Sequence, residues 1–244
     1  MSKFKYILLA GAGMLLAQCK TYDHLAMVRA DTLRVSSAAP DSQVSRLILP
    51  YKSELDAKMN EVIATAPESM TKERPESTLT NWVVDALYNQ ASKLYTETPA
   101  FAFQNYGGIR INNLGKGEVS LSQMFEIMPF DNLVVLLQLK GTEVQRFLDY
   151  VAEAGGAPVS SQVRFRIENK KATDIRIQGK GIDPEGLYHV VFPDYIANGG
   201  DNLEFLKDKP RIEKNILIRD LLTAEAREKG ILRANLDQRI TIKK

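Results

Sequence analysis

Apolar positions recur along this chain with a period that changes several times. Between residues 50 and 64 they fall at Leu55, Met59, Val62 and Ile63, one face of a helix, so the pattern predicts an amphipathic helix to about Ala64. A loop with Pro67, Arg74 and Pro75 leads to a second helix, which Ser77 or Thr78 caps. Its buried stripe is Leu79, Val83, Ala86, Leu87 and Leu94. Past Pro99 the period shortens, and residues 100–104 read as a strand. Ser120 or Ser122 opens a short helix reaching Met128, and 133–139 is an unbroken apolar run, the pattern of a strand buried on both faces. Thr142 and Gln145 have capping-box spacing for a helix carrying Val144, Phe147, Leu148 and Val151, which Gly155 and Gly156 end. Strands follow at 163–167, 174–177 and 188–192, then a turn at 198–201, a helix over 218–229 and a last strand at 239–243. Strands adjoin strands as often as helices, which predicts an α+β fold: a mixed β-sheet with flanking helices.

The 244 residues, 44% of them hydrophobic, suffice for one large domain with a buried core. The chain starts differently. Lys3 and Lys5 precede an apolar run over 6–17, too short for a membrane span of roughly 20 residues but suited to a secretory signal. Leu16-Ala17-Gln18-Cys19 resembles the lipobox of bacterial lipoproteins, in which the cysteine is acylated; an ordinary signal peptide with an incidental cysteine is the alternative. The expected organisation is therefore a signal peptide over 1–18, a lipoprotein tether over 19–46 with a short strand at 32–35, and a domain over 47–244. The expected location is the cell envelope, on a membrane by its lipid anchor. A single cysteine excludes an intrachain disulfide framework, and two histidines, His24 and His189, exclude a His-rich metal cluster. His189 stands in an apolar strand and reads as a core histidine. The 32 basic residues exceed the 30 acidic ones by the two lysines of the leader, so the remainder is neutral and has no basic field for nucleic acid.

Three loops at strand ends carry candidate chemistry. In Asn105-Tyr106-Gly107-Gly108-Ile109-Arg110 the paired glycines allow close backbone approach, and Arg110 offers a planar fork to phosphate; an ordinary turn with a solvated arginine is the plainer reading. In Met128-Pro129-Phe130-Asp131-Asn132 the aromatic either caps the core or faces a cleft. The third loop, from Phe192 to Asp201, holds Tyr195, an Asn198-Gly199 hairpin signal and Asp201. Together they supply two aromatic faces, a guanidinium, amides and a carboxylate, the inventory for a nucleoside or nucleotide. Phe130 and Tyr195 could clamp a base, Asp201 accept from ribose hydroxyls and Arg110 hold phosphate.

At these residues the chain resembles the C-terminal, substrate-binding domain of the 5′-nucleotidase family, from about Tyr51 onward. The motifs are E-S-T-L-T-N-W-V-V-D-A over 76–86, N-Y-G-G-I-R over 105–110, M-P-F-D-N over 128–132, L-K-G-T-E over 139–143 and Y-I-A-N-G-G-D over 195–201. The resemblance implies that Asn105, Gly107, Gly108 and Arg110 contact the nucleotide. It implies that Phe130 and Tyr195 sandwich the base, that Asn132 lies near the base edge and that Asp201 binds ribose. Arg74 stands close to a family arginine but out of register.

Full-length members of that family also carry a two-metal phosphoesterase domain, and none of its Asp, His and Asn motifs occurs in this sequence. No nucleophile motif replaces them, so no catalytic or metal-ligating residue is expected in this chain, nor any cofactor. The expectation is a lipid-anchored nucleotide-binding subunit of a split phosphoesterase acting in nucleotide catabolism. Its two divalent metals would sit on a separately encoded metallophosphoesterase partner. A nucleotide-scavenging lipoprotein and a degenerate structural domain are the alternatives.

Overall fold

A computed structural model describes residues 41–243. The expected signal peptide, Cys19, His24 and the strand expected at 32–35 lie outside the described residues. Residues from Leu47 onward form a compact unit.

Helix α1 (Ser42–Met59) begins inside the stretch expected to be tether and carries Pro50 within it; none of its residues is buried. It stops five residues before the expected end. Val62 and Ile63 belong instead to strand β1 (Val62–Ala66), which pairs antiparallel with β5 (Gly117–Ser120). Their β-branched side chains suit the pleat better than a helix, so the apparent helical stripe straddled two elements. Between these strands, β2 (Met70–Thr71) pairs with β4 (Asn113–Leu114), and α2 (Thr78–Leu94) starts at an N-cap formed by Ser77, whose N–H donates to the Thr80 hydroxyl. Helix α3 (Leu121–Ile127) follows β5, with Ser120 as its cap.

The core is a mixed sheet of order β11–β6–β10–β3, built from β3 (Phe101–Ala102), β6 (Leu133–Lys140), β10 (Leu187–Pro193) and β11 (Arg211–Leu217). Strand β6 is buried on both faces, as its unbroken apolar run requires. Val134 and Leu136 face a layer built from α2, α3, β1 and α6 (Ile218–Lys229). Val135, Leu137 and Leu139 face α4 (Gly141–Glu153) and a second sheet. That sheet has the order β12–β7–β8–β9 and comprises β7 (Val163–Glu168), β8 (Lys171–Ile177), β9 (Lys180–Gly181) and β12 (Ile240–Ile242). Phe147 anchors this half, meeting Phe103 and Phe192 edge-on with ring centroids 4.9 and 5.0 Å apart.

Two expectations change at α4 and β11. The cap of α4 lies two residues earlier than expected: the Lys140 N–H donates to Glu143 Oε2 at 2.9 Å, and Glu143 also pairs with Lys209. Strand β11 was not among the expected strands: its centre is the polar run Glu213-Lys214-Asn215, where Asn215 has φ 53° and the pairing with β6 slips. His189 is half-buried with Nε2 3.4 Å from the Gln138 amide. Residues 198–201 do turn, but not as a hairpin: they close the short helix α5 (Asp194–Ala197) with Gly199 at φ 90°.

Candidate functional site

Strand directions explain why three distant loops meet. Strand β3 runs parallel to β10, so the loop after each leaves the same end of the sheet. Strand β6 runs antiparallel to β10 with Val134 opposite Pro193, so the loop before β6 arrives at that end as well. The segments 105–110, 128–132 and 195–201 therefore converge at one sheet end.

They enclose a cleft of about 260 Å³ lined by Asn105, Gly107, Gly108, Phe130, Asn132, Tyr195 and Asp201. Phe130 and Tyr195 are 44% and 46% exposed, so neither ring is spent on the core. Arg110 stands beside the cleft, its guanidinium carbon 5.5 Å from the Phe130 ring centroid. Its Nη1 donates to the Gly107 carbonyl at 3.1 Å. Larger depressions occur elsewhere, such as one of about 360 Å³ between α2 and the end of α6 and one of about 400 Å³ along α4, but neither presents two exposed aromatic rings.

Hydrogen bonds link the polar side of the cleft. The Tyr195 hydroxyl donates to Asp201 Oδ1 at 2.9 Å, and Asn105 Nδ2 reaches Asp201 Oδ2 at 3.4 Å. A carboxylate has about four lone-pair directions, so one acceptor site per oxygen stays open. Asp201 itself takes a left-handed backbone conformation, φ 54° and ψ 33°, one that aspartate tolerates better than most residues. Behind Asn105, buried Gln104 donates from Nε2 to Asn105 Oδ1 at 2.9 Å, which leaves the Asn105 amide N–H groups for the cleft. A side chain at 108 would displace this pair, because a Cβ there would stand 2.2 Å from Gln104 Nε2 and 2.7 Å from Asn105 Oδ1. Gly200 is likewise pressed against the Tyr195 ring, 2.6 Å from where a Cβ would lie.

Beyond Arg110 the structure adds cations that spacing alone did not place. Lys72 Nζ and the Arg74 guanidinium lie 4.3 and 4.2 Å from the Tyr106 ring centroid. Burial, then the charges of Arg110 and Arg74, lower the Lys72 pKa, and Lys72 Nζ donates to the Ile109 carbonyl, next to Arg110, at 2.6 Å. Among the described residues none of the three has a carboxylate partner. Tyr150, at the end of α4, is a further neighbour. Burial, then the nearby Asp201 charge, raises its pKa against an opposing pull from Arg74.

The motif over 76–86 does different work. Asp85 binds Arg239 through both carboxylate oxygens at 2.9 Å and accepts from the Ser161 N–H at 2.9 Å. Glu76 accepts from the Gln238 N–H at 2.8 Å, and Asn81 donates to the Asn235 carbonyl at 2.9 Å. These residues clamp the segment 235–239 and the loop at 159–161 onto α2 rather than facing the cleft. No group of three or more His, Cys, Asp or Glu side chains among the described residues is placed to hold a metal ion, so they do not fit the two-metal centre of the full-length family.

A family model for the 5′-nucleotidase C-terminal domain matches residues 58–208. Protein UshA of Escherichia coli is 27% identical over 180 residues, which cover 70% of this chain and 32% of UshA. A 5′-nucleotidase of Vibrio parahaemolyticus is 31% identical over 114 residues, covering 45% of this chain and 20% of the relative. The crystal structure of a 5′-nucleotidase precursor from Thermus thermophilus superposes with a TM-score of 0.70 at 26% identity, covering 84% of this chain and 44% of that one. The chain thus spans about a third of the length of the UshA relatives it matches. With 58–208, more than half of the chain, matched by the family model and the fold shared with a solved relative at a TM-score of 0.70, the chain belongs to the 5′-nucleotidase C-terminal domain family.

Proposed function

We propose that this domain recognises nucleotides for a metallophosphoesterase. The base lies between Phe130 and Tyr195, the ribose hydroxyls donate to the open acceptor sites of Asp201, and the phosphate points toward Arg110, with Lys72 and Arg74 on the same side. The observation that carries this reading is the pairing of two half-exposed rings with a carboxylate inside one cleft. An aromatic stack is worth about 1–3 kcal/mol per base, and a half-exposed ring keeps surface free to supply it.

Binding of this kind orients a phosphate without breaking its ester. The metal ions that would activate water and neutralise the leaving oxygen come, in this reading, from a metallophosphoesterase brought to the nucleotide from outside the domain. Cys19 anchors the chain by lipid in the cell envelope, where such a partner would meet it.

Calorimetry with AMP tests the binding. Binding is expected for the unmutated protein, with Phe130→Ala and Tyr195→Ala each weakening it about 5- to 150-fold. Absence of binding, or equal affinity in all three proteins, refutes the reading. The purified chain supplied with divalent metal should release no phosphate from AMP, and a metallophosphoesterase encoded beside it should restore turnover. Loss of palmitate incorporation in Cys19→Ala checks the anchor.

A further inference from the structure

Arg219 is an unusual residue for its position. It lies in the first turn of α6, beyond the residues matched by the family model, and is 7% exposed. A buried guanidinium is expensive to desolvate and is retained where its fork has several acceptors. Here the acceptors all belong to the loop that carries one ring of the cleft. Nη1 donates to the Met128 carbonyl at 3.1 Å and reaches the Phe130 carbonyl at 3.4 Å, while Nη2 donates to Asp131 Oδ1 at 2.7 Å. The guanidinium carbon also sits 4.1 Å from the centroid of the Phe125 ring.

Topology explains how α6 comes to this place. Strand β11 runs antiparallel to β6 with Leu217 opposite Leu133, so α6 starts at the sheet end where the cleft opens. The Ile218 N–H donates to the Asn132 carbonyl at 2.9 Å. Together Ile218 and Arg219 hold the backbone of 128, 130 and 132, bracketing Phe130 on both sides. Asp131 is 78% exposed and has no burial of its own to fix it. Among the described residues the buried Arg219 Nε has no hydrogen-bond acceptor.

We propose that Arg219 is the positioning residue for the base-stacking ring: it fixes the 128–132 loop so that Phe130 projects into the cleft. This rests on the nucleotide-binding reading above. A residue acting through Phe130 must affect ligands that possess a base and spare those that lack one.

The test is a pair of titrations, AMP and ribose 5-phosphate, followed by NMR on the unmutated protein and on Arg219→Met, with folding checked by thermal denaturation. The expected result is an AMP affinity about tenfold weaker, with ribose 5-phosphate affinity changed by less than about twofold. Should Arg219→Met fail to fold, Arg219→Lys keeps the charge but not the fork, and a smaller loss confined to AMP is expected. Parallel loss of both ligands, or unchanged AMP binding in a folded variant, overturns the proposal. Failure of the unmutated protein to bind either ligand refutes the underlying reading instead, and is visible before any variant is made.

Discussion

The ion cluster around Arg239 yields a prediction whose size follows from its geometry. The Arg239 side chain is 3% exposed and touches Asp85 through two bonds of 2.9 Å, Asp237 at 2.8 Å and the Val159 carbonyl at 2.9 Å. Asp85→Ala removes the bidentate partner and also strips the Ser161 N–H of its acceptor. Breaking one side of a buried pair costs about 3–5 kcal/mol, and the lower end applies here because Asp237 at 2.8 Å and Glu76 at 3.7 Å still face the guanidinium. A domain of this size is stabilised by about 5–15 kcal/mol in total and shifts in Tm by about 2–4 °C per kcal/mol. Asp85→Ala should therefore melt about 10 °C lower, and its urea midpoint should fall with little change in slope. The damage should also reach the cleft. Ser160, beside the loosened loop, exchanges hydrogen bonds with Ala102 of β3, the strand that feeds residues 105–110. The double variant Asp85→Ala/Arg239→Met, which also strips Asp237 and Glu76 of their cation, should melt no higher than Asp85→Ala. A fall in Tm of less than about 2 °C for Asp85→Ala would show that the cluster contributes little.

Two further outcomes are expected. Tyr195→Phe keeps the ring but removes the donor to Asp201, so AMP affinity by calorimetry should change by less than about fivefold, well short of the loss in Tyr195→Ala; equal losses would mean the hydroxyl rather than the ring carries recognition. Acid should loosen the C-terminal clamp. Burial alone would raise the Asp237 pKa, but hydrogen bonds and charge from Arg239 and Arg164 outweigh it and hold the group below the ordinary aspartate value. Its contribution is thus complete above about pH 4 and is lost as pH falls further, when the unfolded chain takes up the proton first. Tm measured against pH should drop on that limb, and Asp237→Asn should flatten it; an unchanged limb would remove Asp237 from the account.

What sequence could reveal divides along physical lines. Helix α2 was legible from its helical apolar stripe and strand β6 from its unbroken apolar run. Strand β1 was hidden because Leu55, Met59, Val62 and Ile63 keep helical spacing across a break between two elements. Strand β11 was hidden by polar residues at its centre, where the ladder slips. At the cleft, the aromatics, Asn105 and Asp201 stood out through loop motifs and Arg74 only as an arginine out of register with the family's, whereas Lys72, Tyr150 and Arg219 did not stand out. Their place depends on partners far away in the chain, such as the 91 positions separating Arg219 from Met128. Charged side chains are mostly exposed, so nothing in local composition distinguishes Arg219 or Arg239 from a solvated arginine.

The parallel pairing of β12 with β7, locked by Arg239 onto α2, sets an order of events during synthesis. The carboxylates of Glu76 and Asp85 on and beside α2 wait for a guanidinium made more than 150 residues later. A chain lacking residues from 239 onward would hold the cleft loops without this strap, so the domain is complete only once that segment has docked.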